Sequence, residues 1–409
     1  MPVWHKATRK WVEDGRLVVL GITQEQHPDR CRLFAQWQQF DWPILWDPIN
    51  WMESSSVPII VAIDEHGIVR STRPRPETIE QDFLNVKFND DAPRVVAKDS
   101  ERASEGAVQP ARRPNLAALR SRAEQSDSSR VHRDFGDALV LWGGSNEVSP
   151  AIEAYTRARQ LDPTDAAAQF RLGVAYRLRH DSPDRQPADF QRAVEHWEQA
   201  LAANPNQYIW RRRIQQFGPR LDKPYPFYDW VDEARRDIIA RGNSPIPLTV
   251  NPYGAEIAHP ARSFVPDPAD VKSPDPSGKI HRDTVRFVQC EVAVVPSRIR
   301  PGGSARVHVT LTPNAAKKTH WNNEAEPLRL WVDAPEGWRI SQRLHTGRAV
   351  AEPTSTEIRR IDFEVQAPAD AAGTVKFPAY TLYYVCEDSD GRCLFLRQDI
   401  EITLNVADR

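Results

Sequence analysis

The chain has 409 residues, of which 40% are hydrophobic and 34 are proline, and its formal net charge is −2. At roughly 100–150 residues per domain, this length predicts two to four domains with extended connectors. The near-neutral charge excludes nucleic acid as the expected partner. No apolar run reaches the ~18–20 residues needed to span a bilayer. Four cysteines are too few for a disulfide scaffold.

The first 84 residues carry alternating helix and strand patterns. Val3, Ala7 and Trp11 recur at helical spacing and predict an amphipathic helix over residues 2–16 that ends near Gly15. The elements expected next are a buried strand at 17–22, a helix at 27–40, a strand at 43–47 and a hairpin at 57–70. This order indicates an α/β sheet.

One pattern in this region is Val57-Pro58 followed by the run VAIDEHGIVR at 61–70. With this pattern, residues 1–84 resemble a thioredoxin-like domain of the TlpA/redoxin type. The resemblance implies a cis peptide bond at Pro58 and a substrate groove shaped by Val57 and Pro58. It also implies a Cys-x-x-Cys motif and a central strand, and the helix-to-strand spacing places both before Met1.

The domain is therefore either degenerate or begins upstream of Met1. We expect the upstream start, because a missing central strand leaves two rows of backbone groups unpaired. An upstream start would fit a periplasmic or other extracytoplasmic protein, whereas the chain taken literally is cytoplasmic.

Isolated polar residues in this region are expected to be structural. Cys31, a lone cysteine on the second helix, could be a reactive thiol, but packing is the better interpretation. Asp64, Glu65 and His66 lie on a predicted hairpin turn and are expected to be solvated there, not to bind a metal. From 85 to 129 the apolar residues thin out, which predicts a flexible linker.

Residues 130–240 contain an internal repeat. Ala151–Pro163 and Ala193–Pro205 superpose at their small, aromatic and proline positions and resemble the second helices of tetratricopeptide repeats, with a first helix around Leu172-Gly173. A third first-helix is predicted near 206–216. The candidate partner-binding residues are Arg211, Arg212, Arg213, Tyr225, Phe227 and Trp230. They form either a peptide groove or a solvated basic face with an aromatic cap.

The C-terminal third is predicted to be all-β. A proline-rich connector occupies 241–282, and strands recur from 283 to 409 at a spacing typical of a β-sandwich, with Cys290 expected in its core.

Two of the four cysteines, Cys386 and Cys393, flank a polar loop between two apolar runs. This pattern predicts a hairpin. Directly opposed residues in such a ladder are close enough for a disulfide. A structural staple, two free thiols and a redox-active pair all remain open on this basis.

The surrounding motifs resemble the amino-terminal, immunoglobulin-like domain of DsbD-type thiol:disulfide interchange proteins. In order they are Ile299–Gly303, the alternating Ala305–Leu311, Thr319–Asn323, Pro327–Leu330 and Pro335–Trp338. The resemblance covers about 283–407 and implies that Cys386 and Cys393 accept electrons and pass them on. The acidic residues Glu387, Asp388 and Asp390 are expected to raise the pKa of these thiols.

The sequence thus predicts a multidomain α/β, α and β protein: a partial thioredoxin-like sheet, tetratricopeptide helical hairpins and an immunoglobulin-like β-sandwich. The first functional hypothesis is an accessory thiol–disulfide exchange protein, with no cofactor or metal, that acts on a partner exchange protein or peptide segment. The competing hypothesis is a non-enzymatic scaffold in which the repeats bind a protein and both flanking domains have lost their chemistry.

Overall fold

The computed structural model describes residues 2–89, 113–219, 227–252, 256, 271–387 and 391–407. The chain forms two compact units, each assembled from segments that are distant in sequence. The first comprises Met1–Val174, Asn204–Ile209 and Val231–Val250, and the second comprises Ala175–Ala203, Trp210–Trp230 and Asn251–Arg409. Helices and several sheets are both present, so the protein is of mixed α and β structure, as predicted.

The helices of the described residues are concentrated before position 241. They are α1 (Pro2–Glu13), α2 (Pro28–Gln38), α3 (Leu116–Glu124), α4 (Ser129–Ala138), α5 (Val148–Leu161), α6 (Ala166–His180), α7 (Asp189–Ala203), α8 (Tyr208–Phe217) and α9 (Val231–Ala240), with π-helical turns at Glu80–Leu84 and Leu139–Gly143 and 3-10 turns at Ser145–Glu147 and Ala315–Lys317.

Most of the strands lie after position 287. They are β1 (Gly21–Thr23), β2 (Ile44–Trp46), β3 (Ala62–Ile63), β4 (Val69–Ser71), β5 (Val288–Val295), β6 (Arg298–Ile299), β7 (Ser304–Pro313), β8 (Thr319–Asn322), β9 (Arg329–Val332), β10 (Arg339–Ile340), β11 (Leu344–Thr346), β12 (Thr354–Ser355), β13 (Arg359–Gln366), β14 (Gly373–Glu387) and β15 (Cys393–Val406).

The N-terminal strands form two small sheets. β1 and β2 pair in parallel around α2, and β3 and β4 form an antiparallel hairpin. The expected α/β sheet is present among the described residues only as these two pairs, and no described strand is hydrogen-bonded between them, where the resemblance implied that a central strand is missing.

The buried strand expected at 17–22 is also corrected. The strand begins only at Gly21, and Val18 and Leu20 are 77% and 58% exposed. An apolar run marks strand propensity, but burial needs a covering layer.

A close helix contact organises the helical part of the first unit. A Cβ at Gly136 in α4 would lie 2.6 Å from the Tyr155 ring in α5, so only glycine allows this approach. The Tyr155 hydroxyl donates to Asp137 at 2.9 Å, and Arg171 of α6 donates to the same carboxylate at 2.6 Å. The three helices are therefore held by a buried polar network as well as by small-residue packing.

The predicted linker at 85–129 is wrong at its C-terminal end, where α3 lies. Asn115 caps this helix, because its side-chain oxygen accepts a hydrogen bond from the Ala118 amide at 3.1 Å. Residues 90–112 of that prediction lie outside the described residues.

Two sheets of the second unit share one hydrophobic core. The strand order of the first sheet is β10-β13-β7-β5, and the second contains β11-β9-β14-β15-β6 with β8 and β12 joined to it. Buried side chains from both sheets, among them Val309, Phe363, Trp321 and Leu404, belong to the same core cluster.

Helix α7 covers the edge strand β5. Gln191 accepts a hydrogen bond from the Val294 amide at 2.9 Å, and Glu198 accepts from the amide of Ser297 at 2.8 Å and from its hydroxyl. Because an edge strand leaves backbone donors without a ladder partner, these two helix side chains satisfy donors at and just beyond the end of β5.

A buried polar cluster joins α6, α8 and β7 in the second unit. The Arg177 guanidinium lies 4.2 Å from the Phe190 ring centroid and 4.4 Å from that of Phe217. His308 donates from Nε2 to the Phe217 carbonyl at 2.7 Å, since a carbonyl can only accept. Burial lowers the pKa of His308 to about 4, so the imidazole is neutral in the fold.

Candidate thiol–disulfide site

The β14–β15 hairpin carries the site. The two strands run antiparallel in unbroken register from Gly373↔Val406 to Cys386↔Cys393. The sulfurs of the last pair form a disulfide, with the Cα atoms 4.0 Å apart. The hairpin and the pairing considered from the sequence are both present, while residues 388–390 of the loop lie outside the described residues.

The two cysteines differ in exposure. Cys386 is 5% exposed, whereas Cys393 is exposed. The reason is the position of each strand: β14 lies between β15 and β8 at this level of the sheet, whereas the described partners on the other side of β15 are Arg282 at Arg397 and β6 at Asn405 and Val406, none of them opposite Cys393. The sulfur of Cys393 is therefore on the open side of the bond.

His320 is the second ladder neighbour of Cys386. β8 pairs with β14 so that His320 stands opposite Cys386 and Trp321 stands opposite Val385. Trp321 and Val385 belong to the core between the sheets. Because alternate strand residues point to opposite faces, His320 and Cys386 lie on the outer face.

An aromatic pair borders the bond on the same face. The rings of Tyr384 and Phe395 stack with centroids 4.4 Å apart, one alternate position along each strand from the cysteines. Both side chains are partly exposed. On the loop side the Glu387 amide donates to the Arg392 carbonyl at 3.3 Å and closes the turn.

The other two cysteines are free thiols of intermediate exposure. Cys31 lies on α2, where burial raises the pKa of its thiol. Cys290 lies on β5 against the common core, and burial, with a smaller contribution from Glu291, raises the pKa of its thiol to about 12. Neither thiol has the lowered pKa expected of a reactive cysteine.

Val57 and Pro58, the candidate groove residues, are exposed in the first unit, and the peptide bond between them is cis, as the resemblance implied. Asp64 on the nearby turn is buried, contrary to the expected solvated turn. Its carboxylate accepts from the His66 and Ile68 amides, both at 2.9 Å, because it organises the turn.

The three arginines of the candidate partner surface do not share one face. Arg211 is exposed, Arg212 is partly exposed and Arg213 is buried, because consecutive helix residues point about 100° apart. Arg212 lies over the Phe227 ring at 4.1 Å, and the Trp230 indole donates to the Phe227 carbonyl at 3.1 Å. Tyr225 lies outside the described residues.

The sequence interpretation did not place His320 beside the disulfide, where the ladder puts it. Its available signal was the alternation in Thr319–Asn322, where a buried Trp321 puts its neighbours on the other face. Among the described residues, no group of three or more His, Cys, Asp or Glu side chains could hold a metal ion, and no helix there is long and apolar enough to cross a bilayer.

No protein-family model and no curated protein matches the chain. Among solved structures, one titled "AvmM Catalyzes Macrocyclization in Alchivemycin A Biosynthesis" is 10% identical, with 30% of this chain and 90% of that chain covered and a TM-score of 0.20. The sporulation control protein Spo0M from Bacillus subtilis is 11% identical over 30% of this chain and 50% of its own, with a TM-score of 0.16. Likenesses this weak carry no argument about function.

Proposed function

We propose that the protein takes part in thiol–disulfide exchange through the Cys386–Cys393 bond. The observation that supports it most directly is the exposure of one cysteine, Cys393, of a bonded pair at the end of a hairpin ladder. An exchange disulfide must be open to in-line attack by a thiolate, and accessible bonds are the labile ones. The partly exposed rings of Tyr384 and Phe395 give a partner an apolar surface beside the bond.

In the proposed reaction a thiolate of a partner dithiol protein attacks Sγ of Cys393. The S–S bond breaks, its electron pair leaves on Sγ of Cys386, and a mixed disulfide joins the partner to Cys393. The second partner thiolate then attacks the partner's own sulfur and releases Cys393 as a thiolate. The partner dithiol is oxidised by two electrons, the Cys386–Cys393 pair is reduced to two thiols, and the reverse steps pass the electrons to another disulfide.

The proposal includes the modules that the sequence resembles. The two facing sheets and the cysteine hairpin support a DsbD-like, immunoglobulin-like β-sandwich. The successive helices α4 to α8, with the close approach at Gly136, support tetratricopeptide hairpins. The parallel β1-α2-β2 unit supports a partial thioredoxin-like region. An exchange protein of this kind would work outside the cytoplasm, where disulfides persist.

The test is a redox titration of the full chain carrying Cys31→Ser and Cys290→Ser, so that the pair supplies the only thiols. The protein is equilibrated in dithiothreitol or glutathione buffers, and free thiols are then alkylated and counted by mass spectrometry. We expect two thiols to appear together at a midpoint above about −300 mV, the range of labile disulfides.

A bond that resists reduction until denaturant is added would reject exchange. The matched control adds Cys393→Ser to the same chain, and it must show one thiol that does not change with potential.

The second candidate function is a protein-binding scaffold. It is favoured by the exposed Arg211 beside the Arg212–Phe227 contact, a basic and aromatic surface on the second unit. If the disulfide is inert, Arg211→Glu should still weaken binding to whatever protein co-purifies with the chain, whereas the exchange function predicts that Cys393→Ser removes the covalent complex.

A further inference from the structure

The buried sulfur poses a problem for the exchange reaction. When a thiolate attacks Cys393, the departing electron pair is left on Cys386, which is only 5% exposed. Burial disfavours a charged thiolate, and a thiol that is a poor leaving group slows exchange. The reaction therefore needs a group near Cys386 that supplies a proton or a positive charge.

The strand pairing places one such group, the imidazole-bearing residue His320, opposite Cys386. Cys386 pairs with Cys393 on one side and with His320 on the other, so three residues form a row across β15, β14 and β8. Directly opposed residues of an antiparallel pair have Cβ atoms about 4.5–5.5 Å apart on the same face. The core positions of Trp321 and Val385, one residue further along each strand, put this row on the outer face.

We propose that His320 is the proton donor to the thiolate released at Cys386, a role that rests on the proposed exchange function. The imidazolium gives its proton to Sγ of Cys386 as the S–S bond breaks, and the products are the Cys386 thiol and a neutral imidazole. In the reverse direction the neutral imidazole removes that proton, and the Cys386 thiolate attacks the mixed disulfide at Cys393 and expels the partner thiolate. No electrons enter or leave through His320.

The charged residues next to the row in the chain lie at the ends of its three strands. Lys318 precedes His320 just before β8, Glu387 follows Cys386 on β14, and Arg392 precedes Cys393. β12, the other neighbour of β8, contributes only Thr354 and Ser355. In the proposal the proton comes from the His320 imidazole, which the ladder places opposite Cys386, and Lys318 and Arg392 are the described cations next to β8 and β15 in the chain.

The experiment measures reduction of the oxidised full chain by dithiothreitol in a background of Cys31→Ser and Cys290→Ser. Samples are acid-quenched at intervals, alkylated and weighed by mass spectrometry from pH 5.5 to 8.5, and each rate constant is divided by the reductant thiolate concentration. For the unsubstituted His320 chain we expect this corrected constant to rise as pH falls. In His320→Gln it should be flat and about tenfold lower at pH 6, a modest effect for general acid catalysis because a thiolate is already a fair leaving group.

The control is His281→Gln, which removes an exposed histidine from the connector before β5 and should leave the profile unchanged. Free imidazole added to His320→Ala should restore the rate, which a merely structural role would not allow. A flat profile in the chain that keeps His320, or equal profiles for it and His320→Gln, would overturn the proposal. The redox titration reports the exchange function separately, because a proton donor changes the rate and not the midpoint.

Discussion

Removing the disulfide should lower the unfolding free energy of the β-region, the two sheets of the second unit, only a little. Cys386 and Cys393 are separated by 7 positions, and closing so short a loop reduces the entropy of the unfolded chain by an amount worth about 2 kcal/mol. The hairpin does not depend on the bond for its register, since the ladder continues from Val385↔Leu394 to Gly373↔Val406. An exchange protein requires this, because the reduced form must stay folded to pass its electrons on.

Cys290 provides the assay. In a Cys31→Ser chain it is the only free thiol, and its partly buried position against the core, with the pKa raised to about 12, should slow its alkylation until the two sheets of the second unit unfold. Alkylation of Cys290 is measured against urea concentration for this chain and for the same chain with Cys386→Ala and Cys393→Ala. The unfolding free energy should fall by about 2 kcal/mol, which corresponds to roughly 40 mV in the potential of the bond.

A loss above roughly 5 kcal/mol, or rapid labelling of Cys290 without urea in the Cys386→Ala, Cys393→Ala chain but not in the disulfide-bonded chain, would contradict this reasoning. Either result would mark the bond as a structural staple, since losses of that size are typical of disulfides that hold a small domain together.

Two further predictions concern the helices and the buried histidine. Gly136→Ala puts a Cβ 2.6 Å from the Tyr155 ring and should destabilise the chain by about 1–3 kcal/mol in thermal unfolding, whereas Gly218→Ala, with nothing closer than 3.4 Å, should cost less. The pKa of His308 lies at about 4 in the fold, below its ordinary 6.5, so the stability it contributes is complete above pH 6.5 and is lost as pH falls towards 4. The loss of unfolding free energy should approach about 3 kcal/mol. It is measured by urea unfolding at pH 7 and pH 4.5, and His308→Gln should lose less between these two pH values than the unsubstituted chain. Equal losses in the two chains would contradict the role assigned to His308.

The sequence predicted the features that depend on residues close together in the chain. The polar loop between two apolar runs predicted the Cys386–Cys393 hairpin, because turn residues and β-branched neighbours act within a few positions of each other. The small and aromatic positions of Ala151–Pro163 predicted α5, and the equivalent run at 193–205 predicted most of α7. Each of these depends on contacts between near neighbours.

What could not be predicted depends on distant pairing. Val18 and Leu20 have the composition of a buried strand, yet they are exposed because no described element covers them. Helix α3 lies in a stretch poor in apolar residues, and its cap at Asn115 is the local signal that a compositional argument overlooks. His320 becomes a neighbour of Cys386 only when β8 pairs with β14.

The same distant pairing changes the interpretation of the acidic loop. Glu387 was expected to raise the thiol pKa because it follows Cys386 directly, but alternate residues of a strand point to opposite faces. Its ladder partner is the buried Thr319, one position from His320, so Glu387 belongs to the other face from the sulfur. Among the described residues, the titratable side chain that the ladder places opposite Cys386 on the sulfur's own face is the imidazole of His320. Under the proposed exchange function, position in the sheet, more than adjacency in the chain, decides which side chain stands beside the sulfur that leaves as a thiolate.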